Sequence, residues 1–140
     1  MSTLEITGLD HIVLRVSDVD RSLDFYRGVL GLEGERVEEF RAGSVGFPSV
    51  RIADRTVIDL FPVDAPVPRG ANGKVEGGLD HLCLVAAGTD VEAVVAALAE
   101  QGVPVHLGPA TRWGARGEAT SVYLLDPDGV EVEIRCYPDS

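Results

Sequence analysis

The chain is poor in cysteine and in basic residues, and it has no long apolar run. Two cysteines among 140 residues, Cys83 and Cys136, have no neighbouring Cys or His at zinc-ribbon spacing. Two thiols make no disulfide framework, so they read as small buried or half-buried side chains. No stretch of 18 apolar residues occurs, so no membrane span is expected. The N-terminal Met-Ser-Thr-Leu-Glu lacks the basic and apolar regions of a secretory signal, and a cytoplasmic location is expected. Only 12 basic residues, eleven of them Arg, stand against 23 acidic ones, for a net charge of −11. Such a chain repels phosphate backbones and anionic lipid, so no nucleic acid or membrane partner is expected. What remains, 45% hydrophobic and 25% charged residues, is the composition of a folded globular protein.

The chain repeats itself. Residues 9–14 read Leu-Asp-His-Ile-Val-Leu, and residues 79–84 read Leu-Asp-His-Leu-Cys-Leu, an offset of 70. A helical pattern follows each. The first runs over about 19–30, with Val19, Leu23, Tyr26 and Leu30 at helical spacing and Gly31 as its stop. The second runs over about 90–101, with Thr89 and Glu92 as a capping box, Val91, Val94, Val95 and Leu98 on one face, and Gly102 as its stop. Strand-like runs then follow at 34–41, 45–53 and 56–61, and again at 104–107, 119–125 and 130–136. Residues 62–78, with Pro62, Pro66, Pro68 and four glycines, read as a linker. The expected organisation is one domain over 1–140, built of a first βαβββ module at 9–61 and a second at 79–137. Each half is too small to fold well alone.

Alternation sorts the strand faces. Ile12, Leu14 and Val16, Ile58 and Leu60, Leu82 and Leu84, Val122 and Leu124, and Val132, Ile134 and Cys136 are expected toward the helices. His11, Asp59, His81, Ser121, Tyr123, Glu131, Glu133 and Arg135 then fall on the other faces. If each half curls into a half-barrel, His11, His81, Glu133 and Asp59 line a cup. Two imidazoles with one or two carboxylates suit a divalent cation and leave positions open for water or substrate.

These features resemble the vicinal oxygen chelate superfamily, which includes glyoxalase I, fosfomycin-resistance proteins, extradiol dioxygenases, methylmalonyl-CoA epimerase and bleomycin-resistance proteins. The resemblance spans about residues 9–137. It rests on Leu9-Asp10-His11, on Ser22-Leu23-Asp24-Phe25-Tyr26 before Leu30-Gly31-Leu32, on Leu79-Asp80-His81, and on Asp126-Pro127-Asp128-Gly129 followed by Glu133. It implies an α+β fold of two βαβββ modules forming an open eight-stranded cup. It also implies a divalent metal (Zn, Ni, Mn or Fe) on His11, His81 and Glu133. Val57-Ile58-Asp59-Leu60 matches a strand that supplies a fourth, glutamate ligand in glyoxalase I; Asp59 is one methylene shorter.

The implied activity is that of a metal-dependent lyase or isomerase of glyoxalase type, with Glu133 as first and Asp59 as second proton acceptor. Ser121-Val122-Tyr123 matches the Ser-x-Tyr of fosfomycin-resistance enzymes. Arg112 and Arg116 would give cationic help to a substrate there. An epoxide-opening transferase or hydrolase is therefore the alternative activity, and a dioxygenase ranks third. A non-catalytic small-molecule binding protein is the other class. A small-molecule substrate, a low-molecular-weight thiol and a homodimer are the expected partners.

Overall fold

The computed structural model describes residues 4–65 and 67–138. The N-terminal Met-Ser-Thr and the linker's Pro66 lie outside the described residues. The chain divides into two compact units, Met1–Pro66 and Val67–Ser140.

Unit 1 contains β1 (His11–Val16), α1 (Val19–Leu23), β2 (Glu33–Glu35), α2 (Val37–Arg41), β3 (Ser49–Ala53) and β4 (Thr56–Pro62). Its sheet runs in the order β1-β4-β3-β2, with β1 parallel to β4 and the other pairs antiparallel. Asp18 caps α1 by accepting from the Arg21 N–H at 3.2 Å, and the helix widens into a π-helical turn over Asp24–Val29. This turn carries Phe25 and Tyr26 into the core with Leu14, Val16, Leu23, Val50, Ile58 and Leu60. The expected 19–30 helix is therefore present in two geometries. The expected strand at 34–41 is not: β2 has only three residues, and Val37–Arg41 is helical. Val-Glu-Glu-Phe-Arg places no alternating apolar pair, and Glu and Arg favour a helix once a turn has begun.

Unit 2 contains β5 (Leu82–Val85), α3 (Val91–Glu100), β6 (Leu107–Gly114), β7 (Gly117–Leu125) and β8 (Glu131–Cys136). Its order, β5-β8-β7-β6, repeats that of unit 1, again with the first strand parallel to the last. Asp90, not Thr89, is the cap of α3, accepting from the Ala93 N–H at 2.9 Å. Glycines end both main helical segments as expected, Gly31 at φ +73° and Gly102 at φ +72°. The strand expected at 104–107 instead begins at Leu107 and runs to Gly114. With β7 it forms one long hairpin.

Both units are α+β, and each is a four-stranded sheet with one main helix packed on it, α1 on β4 and α3 on β7. Among the described residues no helix is long and apolar enough to cross a membrane. One expectation about burial is corrected. Cys83 is exposed rather than half-buried. All six residues of β8 are buried, so the face expected away from the helices, with Glu131, Glu133 and Arg135, is covered as well. A central strand is covered on both faces, and alternation alone does not reveal that.

Candidate functional site

The repeated Leu-Asp-His places the same dyad at the head of each unit. In unit 2, His81 directly precedes β5, and its Nδ1 lies 2.7 Å from Asp80 Oδ2. With the Nδ1–H donated to that carboxylate, Nε2 carries the free lone pair. Nε2 lies 3.0 Å from Glu133 Oε1. Two acceptors at that distance need a cation between them. Two ligands at right angles on a divalent ion, each at its usual bond length, are also about 3 Å apart. The donor set therefore fits a divalent metal.

Glu133 is held from several sides. It pairs across the sheet with Cys83 on one neighbour and Tyr123 on the other. Its second oxygen, Oε2, accepts from Arg135 Nη1 at 3.2 Å. Burial pushes the Glu133 carboxyl up. Ser121, His81, Arg135 and Tyr123 together outweigh this and hold it below its ordinary value. Arg135 is itself buried, and its Nη2 donates to the carbonyls of Arg112 and Gly117, each at 3.0 Å. Its guanidinium lies 4.8 Å from the Tyr137 ring centre. Gly114 makes room for it: a Cβ there would lie 2.6 Å from Arg135 Cζ and 2.9 Å from Tyr137 Oη.

The four residues expected to contact substrate all lie on the β6–β7 hairpin or its tip. Ser121 is fully buried beside the Glu133 carboxylate that it helps to hold ionised. Tyr123 is nearly buried, and its ring meets the His81 ring edge to face at 5.6 Å. Burial raises the Tyr123 phenol above its ordinary value. Arg112 is exposed, and its guanidinium lies 5.9 Å from the Tyr123 ring centre. Among the described residues no carboxylate pairs with it, so its charge is available to an anion. Arg116 turns the other way, with its guanidinium 4.4 Å from the Tyr137 ring centre.

Unit 1 repeats the arrangement more loosely. His11 Nδ1 lies 2.7 Å from Asp10 Oδ2, and this hydrogen bond is the main reason the imidazole's pKa is raised. His11 Nε2 faces Asp59 Oδ2 at 3.9 Å. Asp59 is buried, and its other oxygen accepts from Ser49 Oγ at 2.6 Å. The shorter aspartate accounts for the longer gap. In both units one carboxylate oxygen is tied down and the other faces an imidazole.

Sequence reasoning missed Lys74. Its Nζ lies 2.9 Å from Asp80 Oδ1 and 3.1 Å from Glu131 Oε1. Asp80, His81 and Glu131 offer ligand atoms within 4.8 Å of one another, but this ammonium already neutralises the two carboxylates. His106 Nε2 adds a contact of 3.5 Å to Glu131 Oε2. The signal was present: Lys74 is the only lysine in the chain. The structure also gives a role to Asp10 and Asp80, which the duplicated motif had shown only as a pattern.

A family model described as Glyoxalase/Bleomycin resistance protein/Dioxygenase superfamily matches residues 8–134. The chain is 32% identical to the glyoxalase domain-containing protein RDO1 of Mycosarcoma maydis, over 98% of this chain and 72% of that protein. It is 30% identical to virulence protein STM3117 of Salmonella typhimurium, over 94% of this chain and 85% of that protein. A crystal structure of a glyoxalase/dioxygenase from Nostoc punctiforme superposes with a TM-score of 0.76 at 26% identity, covering 98% of this chain and 99% of the other.

Proposed function

Because the chain belongs to the Glyoxalase/Bleomycin resistance protein/Dioxygenase superfamily, we propose that it is a divalent-metal-dependent enzyme. Its substrate is a small molecule with two neighbouring oxygens, and its reaction is a lyase or isomerase step of glyoxalase type. The observation that carries this reading is the 3.0 Å approach of His81 Nε2 to Glu133 Oε1, with Asp80 holding Nδ1. The ligands we propose are those the resemblance implies, His11, His81 and Glu133. The chemistry a bound divalent cation supplies is Lewis acidity toward a substrate oxygen.

The chain's own residues divide the remaining work. Glu133 is engaged at both oxygens and held ionised, which suits a ligand better than a base. Asp59 keeps Oδ2 free of a close hydrogen bond. We therefore assign proton abstraction from the substrate carbon to Asp59 and binding to Glu133, the reverse of the order read from sequence. Arg112, resting on Tyr123, would hold an anionic group of the substrate. This exposed cation also favours a second reading, an epoxide-opening transferase or hydrolase acting on an anionic substrate with a low-molecular-weight thiol or water. A homodimer is the proposed assembly, by family analogy alone.

The test is the metal content of the purified protein by mass spectrometry, with His81→Ala as control. A near-stoichiometric divalent metal that is lost in the control is the expected result. Its identity selects the assay: hemithioacetals and epoxides for nickel, zinc or manganese, and oxygen uptake with catechols for iron. No metal after reconstitution overturns the catalytic reading and leaves a small-molecule binding protein.

A further inference from the structure

Lys74 sits in the stretch that composition marks as a linker, yet its backbone is firmly placed within unit 2. Arg69 and Val75 form an antiparallel bridge. The Lys74 N–H donates to Asn72 Oδ1 at 3.0 Å, and its carbonyl accepts from the Gly70 N–H at 2.8 Å. The turn is docked on the loop between β7 and β8. Arg69 Nη2 donates to the Pro127 carbonyl at 2.5 Å, and the Val75 N–H donates to the Gly129 carbonyl at 2.7 Å. A Cβ on Gly129 would lie 2.8 Å from the Gly73 carbonyl oxygen, so the contact requires glycine there.

This turn aims the ammonium between Asp80 and Glu131. The Lys74 side chain is 16% exposed, whereas that of Asp80 is 77% exposed. An exposed carboxylate held only by a neighbouring imidazole is free to rotate. Lys74 removes that freedom by taking Oδ1, which leaves Oδ2 on His81 Nδ1. In unit 1 the counterpart Asp10 has only His11 as a side-chain partner among the described residues, and its side chain is 89% exposed. The chain uses arginine at every other cationic position, and lysine only where a compact ammonium must fit between two carboxylates.

We propose that Lys74 is a positioning residue. It fixes the Asp80 carboxylate that sets the tautomer and orientation of His81, and so makes His81 a preset ligand, which His11 is not. The proposal rests on the metal-binding reading above for its consequence, but not for its geometry.

The test uses Lys74→Met, Asp80→Asn and their double variant in the full chain. The first readout is the tautomer of the His81 ring in metal-free protein, by nitrogen-15 NMR at a pH where imidazole is neutral, assigned against His81→Ala. The second is the dissociation constant for Co²⁺ added alone. Lys74→Met is expected to mix the two His81 tautomers and to weaken Co²⁺ binding about tenfold, as loss of an outer partner does. The double variant should be no weaker than Asp80→Asn alone, because both act through one contact. Lys74→Arg should restore part of the effect. Lys74→Met takes the ammonium from the buried Glu131 and leaves it the longer His106 contact, so Lys74→Met/Glu131→Gln serves as the folded background. An unchanged His81 tautomer in that background overturns the proposal. Additive losses in the double variant do so too. If the wild type binds no Co²⁺, the functional reading fails, and the tautomer still decides the role of Lys74.

Discussion

The two units share a topology and differ in how tightly each holds its imidazole. Each has an Asp-His dyad at its first strand and a carboxylate on its last strand, with one oxygen tied down. In unit 2 the tie is a buried guanidinium, the dyad has a lysine behind it, and the imidazole–carboxylate gap is 3.0 Å. In unit 1 the tie is a serine hydroxyl, no lysine backs the dyad among the described residues, and the gap is 3.9 Å. Equivalent positions in a repeated sheet thus supply equivalent groups, but the neighbours set how rigid they are. Charge-assisted, buried contacts hold a ligand in place more firmly than neutral or exposed ones.

The comparison is broken most strongly at Glu133. Glu133→Gln leaves Arg135 buried without its counter-charge, and breaking a buried ion pair costs about 3–5 kcal/mol. We expect it to lower the urea midpoint and abolish metal retention. Asp59→Asn should keep metal and lose turnover. Metal loss from both variants would erase the division of roles between the carboxylates.

Gly114→Ala comes next. The added methyl meets the buried Arg135 guanidinium and Tyr137 Oη, and overpacking of this kind costs about 1–3 kcal/mol. Denaturant unfolding measures it, and a wild-type midpoint would mean that Arg135 is not tightly caged.

Acid sharpens the contrast. The folded state holds the Glu133 carboxyl below its ordinary value of 4.5. The stability it contributes is therefore fully present above about that pH and is lost as pH falls through the lower folded value. Metal-free wild type should lose stability over this acid range, and Glu133→Gln should show a shallower slope there. Equal slopes would count against the contact.

Ser49→Ala removes one hydrogen bond to the Asp59 carboxylate, which is worth about 1.5–3 kcal/mol when the acceptor is charged. Its stability loss should be smaller than that of Glu133→Gln in the same assay. Smallest is Asp10→Asn, at an exposed site where substitutions stay within about 0.5 kcal/mol. Its effect on Co²⁺ binding should be weaker than that of Asp80→Asn, and an equal effect would remove the asymmetry between the dyads.

Several of these positions were legible before the fold was known. The duplicated Leu-Asp-His, the helix stops at Gly31 and Gly102, and the inward faces of β1, β4 and β7 follow from spacing and periodicity. The errors have local causes. The 34–41 run lacks alternation and became a short strand and a helix. The Thr89 cap lost to Asp90, whose carboxylate reaches the Ala93 N–H. Glu131, Glu133 and Arg135 lie on the face expected away from the helices, and only the structure shows that this face is buried too.

By itself the sequence determined the repeat, the fold class and the types of donor atom, because periodicity and motif order are properties of the chain. Tertiary structure alone decided which groups restrain them. Arg135 reaches Glu133 only because Gly114 leaves a gap on the neighbouring hairpin, and Lys74 reaches Asp80 only because its turn docks on the β7–β8 loop. Each pair is near in sequence, but what fixes it, the gap at Gly114 or the dock on the Pro127 carbonyl, comes from segments farther away along the chain, and no local pattern encodes that.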